Sequence, residues 1–514
     1  MKKIYLSIIS LIVMGFSLTS CSDWLDVNPQ DQIKEEFLFT TGEGYQTALN
    51  GIYRQMATFN LYGSNMTWGI IDAWGQAYSM KKTPTSGAGQ AMNKIANLNF
   101  TNSQLTPTTD AMWNSAWNAI ANCNELIQKT QEAAADTTIF YLGDRERKLI
   151  LSEAIGLRAM LHFDLLRIYA PAPAANPGTK GYIPYVDYYP AYVNENKSVS
   201  ECLEKIIADL KTAQEGLFKY EGEYTTHLSA SQRFELSASG KNLFYVLRGY
   251  RLNYWAVTGL LARVYLYAGM KKEAYEQAKI LIDEEDKYGF FAAETSQYSG
   301  PENIQAGNIK MYEDIMFGLY SPTELTDWDE QINHGSDGSD EYSQYYLSWT
   351  GDMVNTYFGD EKNEDWRLKY QFEPKVNGRF YRPLKYKKQS ETSTYGPANN
   401  KIIPIIRMSE IYYIAAECLY DPANANACAW AKWYLQKVKM GRGIRRPNLD
   451  AVSTKEDFLS ALISDMRREF VGEGQTLFIY KRLNRILPNP NGEEILPTEA
   501  NFVLPKPTSE SNIK

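Results

Sequence analysis

Apolar residues recur at intervals of three and four along most of this chain, and that period predicts helices. Residues 110–131 (DAMWNSAWNAIANCNELIQKTQ) carry it, as do residues 144–169 (DRERKLILSEAIGLRAMLHFDLLRIY), where Pro171 and Pro173 then forbid continuation. A third helix is expected over 199–219. Residues 250–284 predict a pair of helices broken at Gly269, with Glu273, Ala274 and Ala278 at the offsets of a tetratricopeptide repeat. Small alanine faces let two such helices approach closely. A second pair is expected over 406–441, with Asp421 and Pro422 in its turn, and a C-terminal pair over 455–470 and 474–485. The fold class this implies is mainly all-α: a tetratricopeptide-like helical-repeat scaffold.

Between the helices the period lapses twice, at 60–105 and 286–400, where Gly, Ser, Asn, Thr, Tyr and Trp accumulate. Short strands are expected there, for example in NGRFYRPLKYKK, where Phe380 and Tyr381 follow a Gly turn. Irregular inserts of this length in a compact chain usually carry function. Their chemistry is aromatic. The chain holds 37 Tyr against 34 Gly, although Gly is normally among the commonest residues. Tyr342, Tyr345, Tyr346 and Trp349 stand at i, i+3, i+4 and i+7, so on a helix they would share one face. Trp328 lies near them, and the first insert offers Trp68, Trp74 and Tyr78. Such rings either pack the core or stack on the apolar faces of a ligand. The expectation is that rings from both inserts meet at one exposed ligand platform.

The N-terminus reads as a targeting segment. Lys2 and Lys3 precede an apolar run from Ile4 to Phe16, and Ser17 to Ser20 are mostly small and polar. This is the layout of a secretory signal peptide over 1–20, too short to span a bilayer as a mature helix. Leu18, Thr19, Ser20 and Cys21 resemble the lipobox of bacterial lipoproteins, in which the thiol takes a diacylglycerol and becomes the new N-terminus. One acyl chain holds a protein only marginally, with K on the order of 10⁴ M⁻¹, whereas two or more anchor it stably. After residue 20 no uninterrupted apolar run approaches ~18 residues. Residues 21–514 are expected to form a single domain.

Charge and motifs narrow the chemistry. Losing Lys2 and Lys3 with the signal takes the formal net charge from -8 to -10, which argues against nucleic acid as a partner because phosphate binding needs cations. Beyond Cys21, the cysteines Cys123, Cys202, Cys418 and Cys428 form no CxxC pair, and Cys123 and Cys418 lie in apolar patterns that suit buried thiols. Whether Cys418 and Cys428 pair is not readable from spacing. His162, His227 and His334 are far apart in sequence, and HExxH, GxSxG, Walker A and GxGxxG patterns are absent. A glycosidase needs two carboxyl groups about 5–9.5 Å apart, which neighbours such as Glu361 and Glu364 do not establish. DGSDE at 337–341 has calcium-ligand residue types without EF-hand spacing. No cofactor, metal or catalytic constellation is expected.

Six segments in order, CSDWLDVNPQ, ALNGIYRQM, EAIGLRAMLHFDLLRIYAPAP, PIIRMSEIYYIAAECLY, MRREFVGEGQTLFIYKRLNR and FVLPKPTSESN, resemble the SusD/RagB family over nearly the whole chain. Ser22, Asp23 and Asp26 also resemble the acidic export signal that follows the cysteine in Bacteroidetes lipoproteins. The resemblance implies an outer-membrane surface lipoprotein that binds nutrients, in most members oligosaccharides, as a lid over a SusC-like, TonB-dependent transporter. Gln475 and Ile479 depart from the bulky Arg and the Asp that many members carry after GEG, which bears on subfamily rather than role. Three other readings compete: a peptide-binding member of the family, an all-helical surface glycoside hydrolase, and a repeat scaffold for other proteins. Long Tyr- and Trp-rich inserts count against the last.

Overall fold

A computed structural model of the chain describes residues 35–80, 88–221, 233–234, 243–284, 304–321, 347–375 and 377–511. Its long helices are α1 (Gly42–Met56), α2 (Thr106–Glu132), α3 (Asp144–Tyr169), α4 (Val199–Glu221), α5 (Tyr254–Tyr267), α6 (Lys271–Asp283), α7 (Met408–Leu419), α8 (Ala425–Gly441), α9 (Lys455–Glu469) and α10 (Thr476–Arg482). From α2 to α8 each helix packs on the one before it, α7 on α6 included. This serial packing is what a helical repeat requires, because no single hairpin can bury its own apolar face. The mainly all-α, tetratricopeptide-like class read from the sequence is therefore correct.

Local chemistry sets the helix ends. Asn253 caps α5 by accepting from the Ala256 N–H at 2.9 Å, so the helix starts at Tyr254 rather than at 250. Gly269, at φ +79°, makes the break between α5 and α6. Ala274 and Ala278 of α6 are fully buried, as the repeat pattern demanded. Asn424 caps α8, and Thr454 and Asp457 form a reciprocal capping box on α9.

The long segment between α6 and α7 contributes the strands β1 (Ile315–Tyr320), β2 (Trp349–Thr350), β3 (Phe372–Lys375), β4 (Phe380–Pro383) and β5 (Ile402–Arg407). β1 pairs antiparallel with β5, from Ile315 opposite Arg407 to Tyr320 opposite Ile402. The strand β5 takes Ile406 and Arg407 from the helix expected at 406, and α7 begins only at Met408. β2, β4 and β3 form a second sheet in that order. Asn377 and Gly378, both at positive φ, turn β3 back into β4 where the sequence predicted a Gly turn.

One hydrophobic cluster runs from Tyr45 to Leu504 and takes residues from all the long helices. A buried ionic network crosses it. The Arg367 guanidinium reaches Asp365 at 2.8 Å, Asp465 at 2.7 Å and Glu469 at 3.0 Å, while Arg407 and Arg442 bind the same Glu469 at 2.6 Å each. Burial raises a carboxyl pKa, but here Arg367, Lys439 and Arg468 outweigh it and hold Asp465 down at about 2. Among the described residues, no helix is long and apolar enough to cross a membrane.

Candidate ligand-binding site

The first insert belongs to the core. Every residue from Leu61 to Met80 is buried, so Trp68, Trp74 and Tyr78 do not form an exposed platform. The polar residues that suggested a loop instead close tight turns upon one another. Met66 N–H donates to Leu61 O at 2.9 Å, Gly69 N–H to Ser64 O at 2.9 Å and Ala77 N–H to Asp72 O at 2.9 Å. Each indole also finds a carbonyl: Trp68 Nε1–H reaches Gly63 O at 2.8 Å, and Trp74 Nε1–H reaches Asn501 O at 2.9 Å. A buried backbone is tolerable only when its polar groups are paired in this way.

Asp72 joins this segment to the GEG turn after α9. Its carboxylate accepts from Gly472 N–H at 2.7 Å, Gly474 N–H at 3.0 Å and the Tyr78 hydroxyl at 3.3 Å. Burial, the largest influence, pushes the Asp72 pKa up to about 7 against the pull of these amides and of Lys385.

Trp349 likewise is fully buried. It lies in β2, and Thr350 caps the helix Gly351–Phe358 by accepting from Met353 N–H at 3.2 Å. A helix thus starts where the expected four-ring stripe was to end, and Trp349 cannot share an exposed face with the other three. Trp328, Tyr342, Tyr345 and Tyr346 lie outside the described residues, as do Cys21, His227, His334 and the DGSDE segment. The two inserts do meet, through core contacts. Trp349 Nε1–H donates to Ala77 O at 2.8 Å, and Ser79 N–H to Ser348 O at 2.8 Å.

One exposed ring, Tyr320, heads a chain of rings elsewhere. Tyr320, at the end of β1, is 47% exposed and packs edge-to-face on Tyr250 at 5.2 Å. Tyr250 meets Phe234 at 5.0 Å, Phe234 meets Tyr312 at 6.2 Å, and Tyr312 meets Tyr395 at 5.6 Å. The five rings form one ridge, of which Phe234 and Tyr312 are buried in the small cluster with Ile315 and Ile402, Tyr250 and Tyr395 are half-buried against it, and Tyr320 stands exposed at the end. Such ring pairs add about 0.5–1.5 kcal/mol each beyond area burial. Gly249 makes the approach possible, since a Cβ there would lie 2.5 Å from the Phe234 ring. Arg233, buried beside it, donates to Glu313 O at 2.9 Å, and burial lowers its pKa to about 10. These residues are spread from 234 to 395 with no common spacing, so no sequence signal could have collected them.

The other candidates are structural. His162 is buried, with Nδ1 2.9 Å from Arg158 O and Nε2 accepting from Val186 N–H at 3.0 Å. Both ring nitrogens are thereby committed to the backbone, and burial drives its pKa down to about 3. Glu361 is tied to Lys439 at 2.8 Å and Arg468 at 2.6 Å. Cys123, Cys202, Cys418 and Cys428 are free thiols, and Cys418 does not pair with Cys428. Gln475 accepts from Arg167 at 3.2 Å and Ile479 is core, so the departures after GEG fall on packing residues. No group of three or more His, Cys, Asp or Glu capable of holding a metal ion occurs among the described residues.

Nearly the whole chain resembles known proteins. A family model described as SusD family matches residues 326–502. A second, described as starch-binding associating with outer membrane, matches residues 23–232. A SusD-like protein, P38, from Formosa agariphila is 24% identical over 268 residues, 51% of this chain and 46% of that protein. The chain thus spans about half the length of this curated relative. Among solved structures, a SusD superfamily protein from Bacteroides thetaiotaomicron superposes with a TM-score of 0.67 at 21% identity, covering 92% of this chain and 98% of that one. A putative sugar binding protein from Bacteroides vulgatus gives 0.65 at 21% identity, over 92% and 96%. Surface glycan-binding protein A from Bacteroides uniformis gives 0.63 at 16% identity, over 92% and 98%.

Proposed function

The chain belongs to the SusD family, and from that premise we propose that it captures oligosaccharides at the outer-membrane surface and passes them to a SusC-like, TonB-dependent transporter. The lipidated Cys21 is the anchor in this reading, and residues 21–514 act as one binding unit. The ligand is held without being cut, with no metal or cofactor. One observation supports the location of the site above the others: the ridge that starts at Tyr320, the only strongly exposed residue of β1. Aromatic faces complement the apolar C–H faces of sugar rings, and edge-to-face support fixes them before the ligand arrives.

Trp328, Tyr342, Tyr345 and Tyr346 remain part of the proposed ligand surface, because they belong to the segment that leaves β1 immediately after Tyr320 and Ser321. A ring burying roughly 80 Å² against a sugar contributes about 2 kcal/mol, or some thirtyfold in affinity.

The test is calorimetric titration of neutral malto-, cello-, xylo- and manno-oligosaccharides into the protein and its Tyr320→Ala variant. A thirtyfold weakening with unchanged melting supports the site. Equal affinity in both proteins removes Tyr320 from it, and release of reducing ends from a bound glycan at enzyme-like rates would replace capture with hydrolysis.

A further inference from the structure

A second concavity lies away from the ridge. It is a groove of about 540 Å³ between the outer side of α9, the residues around Tyr357, and a C-terminal hairpin in which Leu487 pairs with Ile495 and Pro488 with Glu494. Its floor is set by one buried cation. The Arg467 guanidinium lies 4.5 Å from the Tyr357 ring centroid and 5.6 Å from that of Tyr480, and donates to Gln76 O at 2.7 Å. A cation shared by two rings holds both in place. Behind them the polar groups are spent: Ser464 Oγ–H donates to Tyr357 O at 3.0 Å and Arg468 Nε–H to the same oxygen at 2.6 Å.

Four of the groove's outer polar groups are uncommitted among the described residues. The side chains of Thr356, Ser460, Glu493 and Glu494 make no hydrogen bond or ion pair within the described residues, and all four residues are exposed. Arg485 is engaged by Glu456 at 2.9 Å, which leaves the groove with an excess of negative charge. Ile486, 43% exposed, adds an apolar contact at the rim. The hairpin tip is ordered by its own bonds, Asn489 N–H to Glu493 O at 3.0 Å and Gly492 N–H to Asn489 O at 2.9 Å.

We propose that this groove is a second carbohydrate subsite, taking a neutral oligosaccharide of about two to three sugar units. Its volume falls within the ~300–1,000 Å³ range of small-molecule sites. Hydroxyls and carboxylates around fixed rings match a ligand that presents many O–H donors and an apolar face. The negative excess disfavours uronic-acid glycans and acidic peptides. The inference does not depend on the ridge being the capture site.

The experiment uses the full chain carrying Tyr320→Ala, so that binding at the ridge is reported separately. Neutral and uronic-acid oligosaccharides of two to four units and a mixed peptide pool are titrated into this protein and into the same protein carrying Ser460→Trp. Ser460 is exposed, so a Trp there fills the groove without touching the core. Retained neutral-sugar binding that weakens at least tenfold with Ser460→Trp supports the subsite, as does a three- to tenfold loss with Glu493→Gln combined with Glu494→Gln. Binding insensitive to Ser460→Trp, no neutral-sugar binding in the Tyr320→Ala protein, or a preference for uronic acids or peptides overturns it. Unchanged binding of the Tyr320→Ala protein relative to the unsubstituted chain would instead count against the ridge.

Discussion

Trp349 and Ala77 are 272 residues apart in sequence and joined by a 2.8 Å hydrogen bond from indole to carbonyl in a fully buried contact. Trp349→Ala should therefore cost about 3–5 kcal/mol of stability, the range for emptying an aromatic core site. Trp349→Phe keeps most of the packing and orphans the Ala77 carbonyl, for about 1–3 kcal/mol. Urea unfolding of both variants measures the two figures. Equal stability to the parent protein would mean that the ring is not core.

Asp72 should make stability fall as pH rises. Its folded-state pKa is raised from 3.8 to about 7, so between these values the unfolded chain releases a proton that the folded protein keeps. The stabilisation is fully present below about pH 4 and lost by about pH 7, an effect on the order of 4 kcal/mol. Denaturant unfolding at intervals from pH 4 to 8 should show this fall in the parent protein, and a shallower one in Asp72→Asn. Parallel pH profiles would contradict the assignment.

Removing Arg367 should be among the most damaging single changes. Three buried carboxylates, Asp365, Asp465 and Glu469, would each lose a partner, leaving Arg468, Arg407 and Arg442 to balance them. Breaking a buried ion cluster from one side costs about 3–5 kcal/mol, and Arg367→Met should lower the urea midpoint accordingly. The remaining carboxyls would also take up protons, so the loss should shrink as pH falls.

Gly249→Ala should disturb the ridge more than the scaffold. The added methyl meets the Phe234 ring at 2.5 Å, and overpacking of this kind costs about 1–3 kcal/mol. The expected result is weaker glycan binding with the helical circular dichroism intact. Tyr320→Phe, which keeps the ring, should retain most of the affinity.

Cys21→Ala should abolish lipidation. Cell fractionation with labelled fatty acid is expected to show an unlabelled protein that is soluble or remains an unprocessed precursor. A normally processed variant in the membrane fraction would rule out the proposed anchor.

Much of the scaffold was legible because helices announce themselves locally. α3 follows its periodic run residue for residue, and Gly269 marks the α5–α6 break. α1 carried the same signal in Tyr45, Leu49, Ile52, Tyr53 and Met56, but Gly44 and Gly51 diluted it. The site was far less legible. Trp68, Trp74 and Tyr78 sit among residues typical of loops, and tight local turns together with remote contacts such as Trp74 to Asn501 and Asp72 to Gly472 make them core. Conversely, Tyr320 ends an apolar strand and looks like core in sequence, yet its ring is half exposed.

The bond from Trp74 to Asn501 spans 427 residues, and those from Asp72 to Gly472 and Gly474 span 400 and 402. The buried segment 61–80 is therefore closed in part by the last part of the chain to be synthesised. Helical hairpins can form as they emerge, but the Trp74 indole N–H and the Asp72 carboxylate gain these backbone partners only when the C-terminal turns arrive. High sequence separation of this kind slows folding. On the export route proposed above the delay would have a use: the polypeptide would stay threadable through a narrow channel until its final residues had crossed, and would lock only afterwards.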